Sequence, residues 1–450
     1  MKLRATFMQR RLYDVTERHP DQAMRHVTAA FEFSGRLDID RLRAAALQLM
    51  VRHDALRMRF LLDEHDVLVA HVVEMDSRDV DTVMTVVEST EGLDDAIRLV
   101  MRHFDRADDA PWRLVVNRGS DKDTMILVFD HLVCDARSMR VVLDDLAALY
   151  NGASLPAEAP LFAEWLVDEV EQGSRVDREV AYWKARYAEV PRAYSIKLPF
   201  ATGWRSRDLG TPAFEELWLD AGEVARMKHK ASLFRLSPFG LALTSLNLVL
   251  APHCDDRAVA LTGVLPNRRD GIYDGAVGSF AHTTAYVTAI PAPDGGFESF
   301  AAATRSAVIN TLRHSRLALF DLIGRLGVGD SLASVHGYGV YFDYLYEALD
   351  TSRFELGGLR GTEVRLDSGV NRSLSIWVVE RDGGALLKAN FEAERFSRTG
   401  VRQFLREFAD AMTDTAGEAD LVLSGPRDRS AAESAAARID LMELPDGNRG

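Results

Sequence analysis

Apolar residues recur along this chain at two periods, and the changes of period mark out its elements. Residues 25–33 have strand character, and a turn and helix start follow at residues 37–40. Leu42, Ala45, Ala46, Leu49, Met50 and His53 then keep one helical stripe. Residues 57–73 form a hairpin pattern that turns at residues 63–66, and residues 93–104 form a helix ahead of Pro111-Trp112-Arg113. Residues 125–129 are an unbroken apolar run of strand length, as suits a buried strand. The run stops at Asp130-His131, two polar residues that are costly to bury without partners. Met139, Val142, Leu143, Leu146 and Tyr150 recur at helical spacing behind Asp135, which occupies an N-cap position. A histidine therefore leaves the end of a core strand and a carboxylate starts the next helix, which places an imidazole on a rigid rim.

Residues 151–160 are a Pro/Gly/Ala/Ser break and the best boundary candidate. A helix over residues 161–171 and the Tyr182-Trp183-Lys184 segment form a bridge, and a second lobe begins near Ser195. There Ser237 caps a helix with Pro238 at its first position, and the helix is apolar on every side, hence buried. Residues 257–265 form a central strand, followed by residues 266–270. A helix at 320–326, a strand at 339–346, a strand pair at 374–380 and 386–391 turning over 381–384, and a helix at 398–412 complete the pattern. The expected organisation is a lobe over residues 1–160, a bridge over 161–194, a second lobe over 195–424 and a disordered tail over 425–450. A short helix is possible within that tail at 430–441. Both halves share strand–helix–strand character.

Composition narrows the class. The 450 residues are 47% hydrophobic and 27% charged, as in a globular protein too long for one core. A formal charge of −14 argues against a nucleic-acid surface. No apolar run reaches the length of a membrane span or a signal-peptide core, so a cytoplasmic protein is expected. Cys134 and Cys254 are the only cysteines, which excludes a disulfide framework. Cys134 follows Leu132 and Val133 and reads as a buried, inert thiol. His253-Cys254-Asp255 has no second ligand pair at metal spacing, so no metal site is expected.

Asp130-His131-Leu132-Val133-Cys134-Asp135-Ala136 resembles the His-His-x-x-x-Asp-Gly motif of the condensation superfamily of nonribosomal peptide synthesis. The second histidine is kept as His131, whereas aspartate replaces the first and alanine the final glycine. Asp130, Asp135 and Ser138 also satisfy the Asp-x-x-x-x-Asp-x-x-Ser pattern of heterocyclization domains, and the motif alone does not separate the two. Further matches are residues 6–13, the Arg-His-x-x-Leu-Arg-x-x-Phe stretch over residues 52–60, Tyr182-Trp183, Asn267-Arg268, and residues 277–283. In that last stretch His282 stands where the family usually has asparagine. Together the matches span most of residues 6–420.

The resemblance implies two chloramphenicol-acetyltransferase-like α/β lobes arranged as a V, with mixed sheets flanked by helices. Residues near 275–285 and 340–375 would bridge the lobes. His131 would be catalytic. Asp135 would pair with Arg268, or alternatively Arg57, and Asp130 would be hydrogen-bonded behind the site. Arg57 would face the channel or pair at the surface. Ser138, Asn267, Ser279, His282 and Asp343 would line the substrate channel. The implied reaction is amide formation from a carrier-protein thioester held on a phosphopantetheine arm, with an amine as acceptor and no bound cofactor. Ester formation, heterocyclization of a Cys, Ser or Thr acceptor, and non-catalytic carrier recruitment are the rival readings. A free-standing monomer without nucleic-acid or membrane partners is expected.

Overall fold

The computed structural model describes residues 2–18, 26–88, 93–156, 158–170, 173–189, 196–202, 210–254, 258–268, 271–292, 295–326, 339–346, 354–366 and 374–414. The expected tail at 425–450 and its short helix lie outside these residues.

The strands of the first half are β1 (Leu3–Arg4), β2 (His26–Phe33), β3 (Met58–Leu62), β4 (Leu68–Val72), β5 (Met84–Glu88), β6 (Trp112–Arg118) and β7 (Asp123–Asp130). Those of the second half are β8 (Pro212–Leu219), β9 (Ala258–Leu265), β10 (His282–Ala289), β11 (Val340–Leu345), β12 (Phe354–Leu356), β13 (Leu359–Glu363), β14 (Leu374–Arg381) and β15 (Gly384–Glu392). They build one six-stranded sheet in the order β12-β13-β2-β7-β6-β5, a second in the order β10-β9-β11-β14-β15-β8, and a small sheet β1-β4-β3. Both large sheets are mixed, with β5 parallel to β6 and β11 parallel to β9 and β14.

All eight residues of β7 are buried, which accounts for its unbroken apolar run. Met125, Leu127 and Phe129 pack in one core with residues of the helices Ile39–Arg52 and Ala136–Tyr150. Ile126 and Val128 face a smaller cluster with Phe104 and Val100, beside the helix Leu93–Val100. That helix stops short of the expected residue 104. Arg113 explains the early end, because its guanidinium takes the carbonyls of Val100, Arg102 and His103 at 2.6–3.0 Å. In the second half, helix Pro238–Leu250 is capped by Ser237 and buried at most positions against the second sheet. Its one amide, Asn247, donates to Thr288 and Thr304 at 3.0 and 3.2 Å.

Two excursions tie the halves together. The hairpin β12–β13 joins the edge of the first sheet, with Gly361 opposite Phe33 on β2. A side chain at Gly361 would press on Phe31 and Phe33 at 3.0–3.2 Å, so glycine suits the close strand approach there. Tyr273, Ala276, Val277 and Phe280 are buried in the first core. Residues 354–363 therefore pack with the first sheet and not with the second-half strands around them in sequence.

Candidate active site

His131 is the first residue beyond β7 and opens the turn that leads into helix Ala136–Tyr150. It is half-buried, and its Nδ1 has no hydrogen-bond partner among the described residues. The carboxylates on either side of it are fully engaged. Asp130 accepts from the Leu132 amide at 2.9 Å and from Arg106 Nε at 2.7 Å. Arg106 in turn meets Glu17 at 2.6 Å. Gln9 donates to the Leu132 carbonyl at 2.8 Å, so the first helix, Phe7–Arg18, also holds this turn.

Asp135 caps the next helix by accepting from the Ser138 amide at 2.7 Å. The same oxygen meets Arg268 at 3.2 Å. Its other oxygen accepts from the Phe280 and Ala281 amides at 3.1 and 3.2 Å. Arg268 also donates to the carbonyls of Tyr273 and Ala276 at 2.6 and 2.8 Å, and lies 4.1 Å over the Phe280 ring. Burial lowers the Arg268 pKa, and the Asp135 charge opposes that shift. Cys134, wedged in the core, has its thiol pushed well up by burial and stays protonated.

Several expected channel residues lie elsewhere. Ser138 is fully buried, donating to the Gly278 carbonyl at 2.6 Å and accepting from the Gly278 amide and Arg268 at 3.0 and 2.7 Å. Its hydroxyl latches the two halves together and is closed to a channel. Arg57 is not Asp135's partner. It is spent on the carbonyls of Met50 and Val73, both at 3.0 Å, in a separate cleft of about 370 Å³ beside Trp112. The neighbouring residues of that motif are structural too. His53 and Arg52 bind Asp145 at 2.9 and 2.8 Å, and Asp54 receives the first amides of helix Phe162–Val170. Asp343 projects from β11 beside Tyr341, with its carboxyl pKa raised to about 6 by burial. It does not line the larger cleft.

That larger cleft, of about 480 Å³, brings together Asn267, Ser279 and His282 with Phe7, Trp165 and Leu317. His131 is not among its lining residues; Thr6 lines it and binds Gln9, which holds the Leu132 carbonyl. Glu179 fixes one wall by accepting from the amides of Arg316 and Leu317 at 2.9–3.0 Å. Gln9 and Asp54 belong to stretches the sequence singled out, whereas Arg106, Glu17 and Trp165 carried no signal there, because only folding sets them near the motif and the cleft. Among the described residues, no cluster of three or more His, Cys, Asp or Glu side chains has the arrangement to hold a metal. No single helix among them is long and apolar enough to cross a membrane.

The profile of the condensation domain matches residues 2–433. Surfactin synthase subunit 2 of Bacillus subtilis is 23% identical over 439 residues, covering 95% of this chain and 12% of the synthase. The chain spans 6–14% of the length of the curated relatives compared with it. Among solved structures, the first condensation domain of the CDA synthetase superposes with a TM-score of 0.75 at 19% identity, covering 93% of this chain and 98% of that one. The X-domain from teicoplanin biosynthesis gives 0.74 at 22% identity, covering 92% and 95%. The two lobes thus adopt the V-shaped, chloramphenicol-acetyltransferase-like fold of these structures.

Proposed function

We propose that the chain, which belongs to the condensation-domain family, joins an acyl or aminoacyl thioester on a carrier protein to an amine. The amine nitrogen attacks the thioester carbonyl, the C–N bond forms and the C–S bond breaks. His131 takes the proton from nitrogen and returns it to the departing thiolate of the phosphopantetheine arm. The observation that carries this reading is the division of labour around His131. Asp130 is committed to Arg106 and Asp135 to Arg268 and three backbone amides, so neither carboxylate ties up the half-buried His131 ring. A thioester is already activated, so positioning supplies much of the rate. Proton transfer to a placed base adds roughly 10² to 10⁴. Asp130 and Ser138, which also satisfy the heterocyclization pattern, are here both absorbed by the scaffold.

The test is incubation with donor-loaded carrier proteins and a panel of amines, alcohols and aminothiols, reading products by intact mass. An amide product that disappears in His131→Ala is the expected result. An ester or heterocycle would correct the bond type, and an amide undiminished in the variant would remove His131 from the chemistry. Non-catalytic carrier recruitment is the second reading, favoured by Asp130 and Ala136 where the family motif has histidine and glycine. Carrier binding without product across the panel would establish it.

A further inference from the structure

The cleft of about 370 Å³ beside Trp112 shares no lining residue with the larger one, and His131 is not part of its wall. Its apolar side is made by Met50, Leu56, Val73, Met75 and Trp112. The rest of the wall is charged, with both signs present. Arg113 and Asp109 close into an ion pair at 3.0 Å. Arg57, Arg59 and Arg102 also line the cleft, as do Glu74, Asp79 and Asp108, yet none of these acids pairs with any of these arginines. The unclosed gap between them is the feature that calls for a ligand.

Local geometry aims two of the arginines the same way. Arg57 and Arg59 flank Met58, which is extended at φ −74° and ψ 144° and buried in the core. Side chains alternate along an extended segment, so both arms leave on the side away from that core, their Cα atoms roughly 7 Å apart. Arg57 donates from Nε and Nη1 to the carbonyls of Met50 and Val73, both at 3.0 Å. Arg59 donates from the same two nitrogens to the carbonyls of Asp108 and Met58, at 3.1 and 3.2 Å. Carbonyls orient a guanidinium without neutralising it, and Nη2 of each arm stays uncommitted among the described residues. Burial lowers the Arg59 pKa, while the fields of Asp109, Asp79 and Asp108 raise it. Three acids therefore face this half-buried cation without touching it.

A charge that has lost water without gaining a counter-ion is stabilised by a ligand that supplies one. The guanidinium fork matches a carboxylate. A bare carboxylate would also meet the acids of the same cleft, so the ligand needs a cationic group for them. We propose that this cleft binds a free α-amino acid with an apolar side chain. Its carboxylate lies between Arg57 and Arg59, its ammonium faces Asp79 and Asp108, and its side chain packs on Val73 and Met75. The volume is at the small end of the range for ligand sites, as suits one such molecule. The inference stands apart from the proposed condensation, since it needs neither turnover nor a carrier protein.

The full-length protein is titrated calorimetrically with L-leucine, leucinamide (no carboxylate), 4-methylpentanoate (no ammonium) and glycine (no side chain). Leucine should bind, and each analogue should bind about tenfold more weakly or worse. Arg59→Gln should weaken leucine and 4-methylpentanoate about tenfold and leave leucinamide unchanged. Asp108→Asn, at an exposed side chain, should weaken leucine several-fold without weakening 4-methylpentanoate. Urea midpoints matching the parent separate a lost contact from a lost fold, and Asp108→Asn serves alone if Arg59→Gln fails to fold. No binding of leucine, or any analogue binding as tightly as leucine, overturns the proposal. So does leucine affinity that neither substitution changes, which would place the amino acid elsewhere on the protein.

Discussion

Arg268 and Asp135 are expected to behave as one energetic unit across the two halves of the fold. Both are about 95% buried or more and meet at 3.2 Å, yet each also has other partners. Replacing Arg268 by Met leaves the Asp135 carboxylate buried without its cation, a class of change that costs about 3–5 kcal/mol. Three backbone amides still donate to that carboxylate, which places the expected loss near the lower end, about 3 kcal/mol. Asp135→Asn should cost a similar amount for a different reason. Both carboxylate oxygens face only donors, Ser138 N–H and Arg268 on one side and Phe280 and Ala281 N–H on the other. An asparagine NH₂ therefore meets a donor in either orientation. In the double variant neither charge is stranded, so its loss should fall short of the summed single losses by more than about 1 kcal/mol. Urea unfolding of the four proteins, followed by tryptophan fluorescence at constant slope, measures this coupling. Single losses that add to within about 0.5 kcal/mol would refute the pairing as an energetic unit.

Other perturbations follow from the same contacts. His131→Ala should lower product formation by roughly 10² to 10⁴ while leaving the urea midpoint in place, which paired kinetic and unfolding curves would show. Gly278→Ala should destabilise the junction by about 1–3 kcal/mol in urea unfolding, because its methyl would fall 2.2 Å from the buried Phe162 ring. His26 and His282 are each held down to about 4 by burial, so the unfolded chain binds more protons between pH 6.5 and 4. Their stabilisation is therefore lost as pH falls through that window, and His26→Gln should flatten the slope of urea midpoint against pH. Asp343 has the opposite sign: its pKa is raised to about 6, and its contribution is lost as pH rises toward that value. Asp343→Asn should accordingly gain up to about 3 kcal/mol over the parent above pH 6, also read from midpoints across pH.

How much of this could be read in advance depended on whether the signal was local. The run at residues 125–129 announces β7 because both of its faces are covered, one by the main core and the other by the Phe104 cluster. Asp135 as an N-cap follows from the helical stripe behind it, and its pairing with Arg268 came through the family motif. Strand β8 escaped notice because its buried positions, Ala213, Glu215 and Leu219, do not form an apolar alternation. Glu215 is buried only because Arg398 and Arg402 hold it at 2.9–3.0 Å, partners nearly two hundred residues away. Nothing local in residues 354–363 says which sheet they will join, since strand pairing is a choice among distant edges. Arg106 is a loop arginine like many others until β7 brings Asp130 within 2.7 Å of it.

The two departures from the family motif take on a different weight once these partners are known. Aspartate in place of the first histidine puts a negative charge in a site 3% exposed, immediately before His131. Left alone, such a charge would be severely penalised and would compete for the imidazole's proton. Arg106 neutralises it, Glu17 balances Arg106 at the half-exposed rim, and the second oxygen of Asp130 is consumed by the Leu132 amide within the His131 turn. In this chain, therefore, the aspartate braces that turn. Ala136, in place of glycine, opens the helix that follows, and it is absent from the positions with positive φ. No backbone conformation reserved for glycine is needed there, so alanine costs the local geometry nothing. Neither change dismantles the surroundings of His131. The case for a purely recruiting role must rest on whether the protein forms product, and the product assay with His131→Ala addresses that directly.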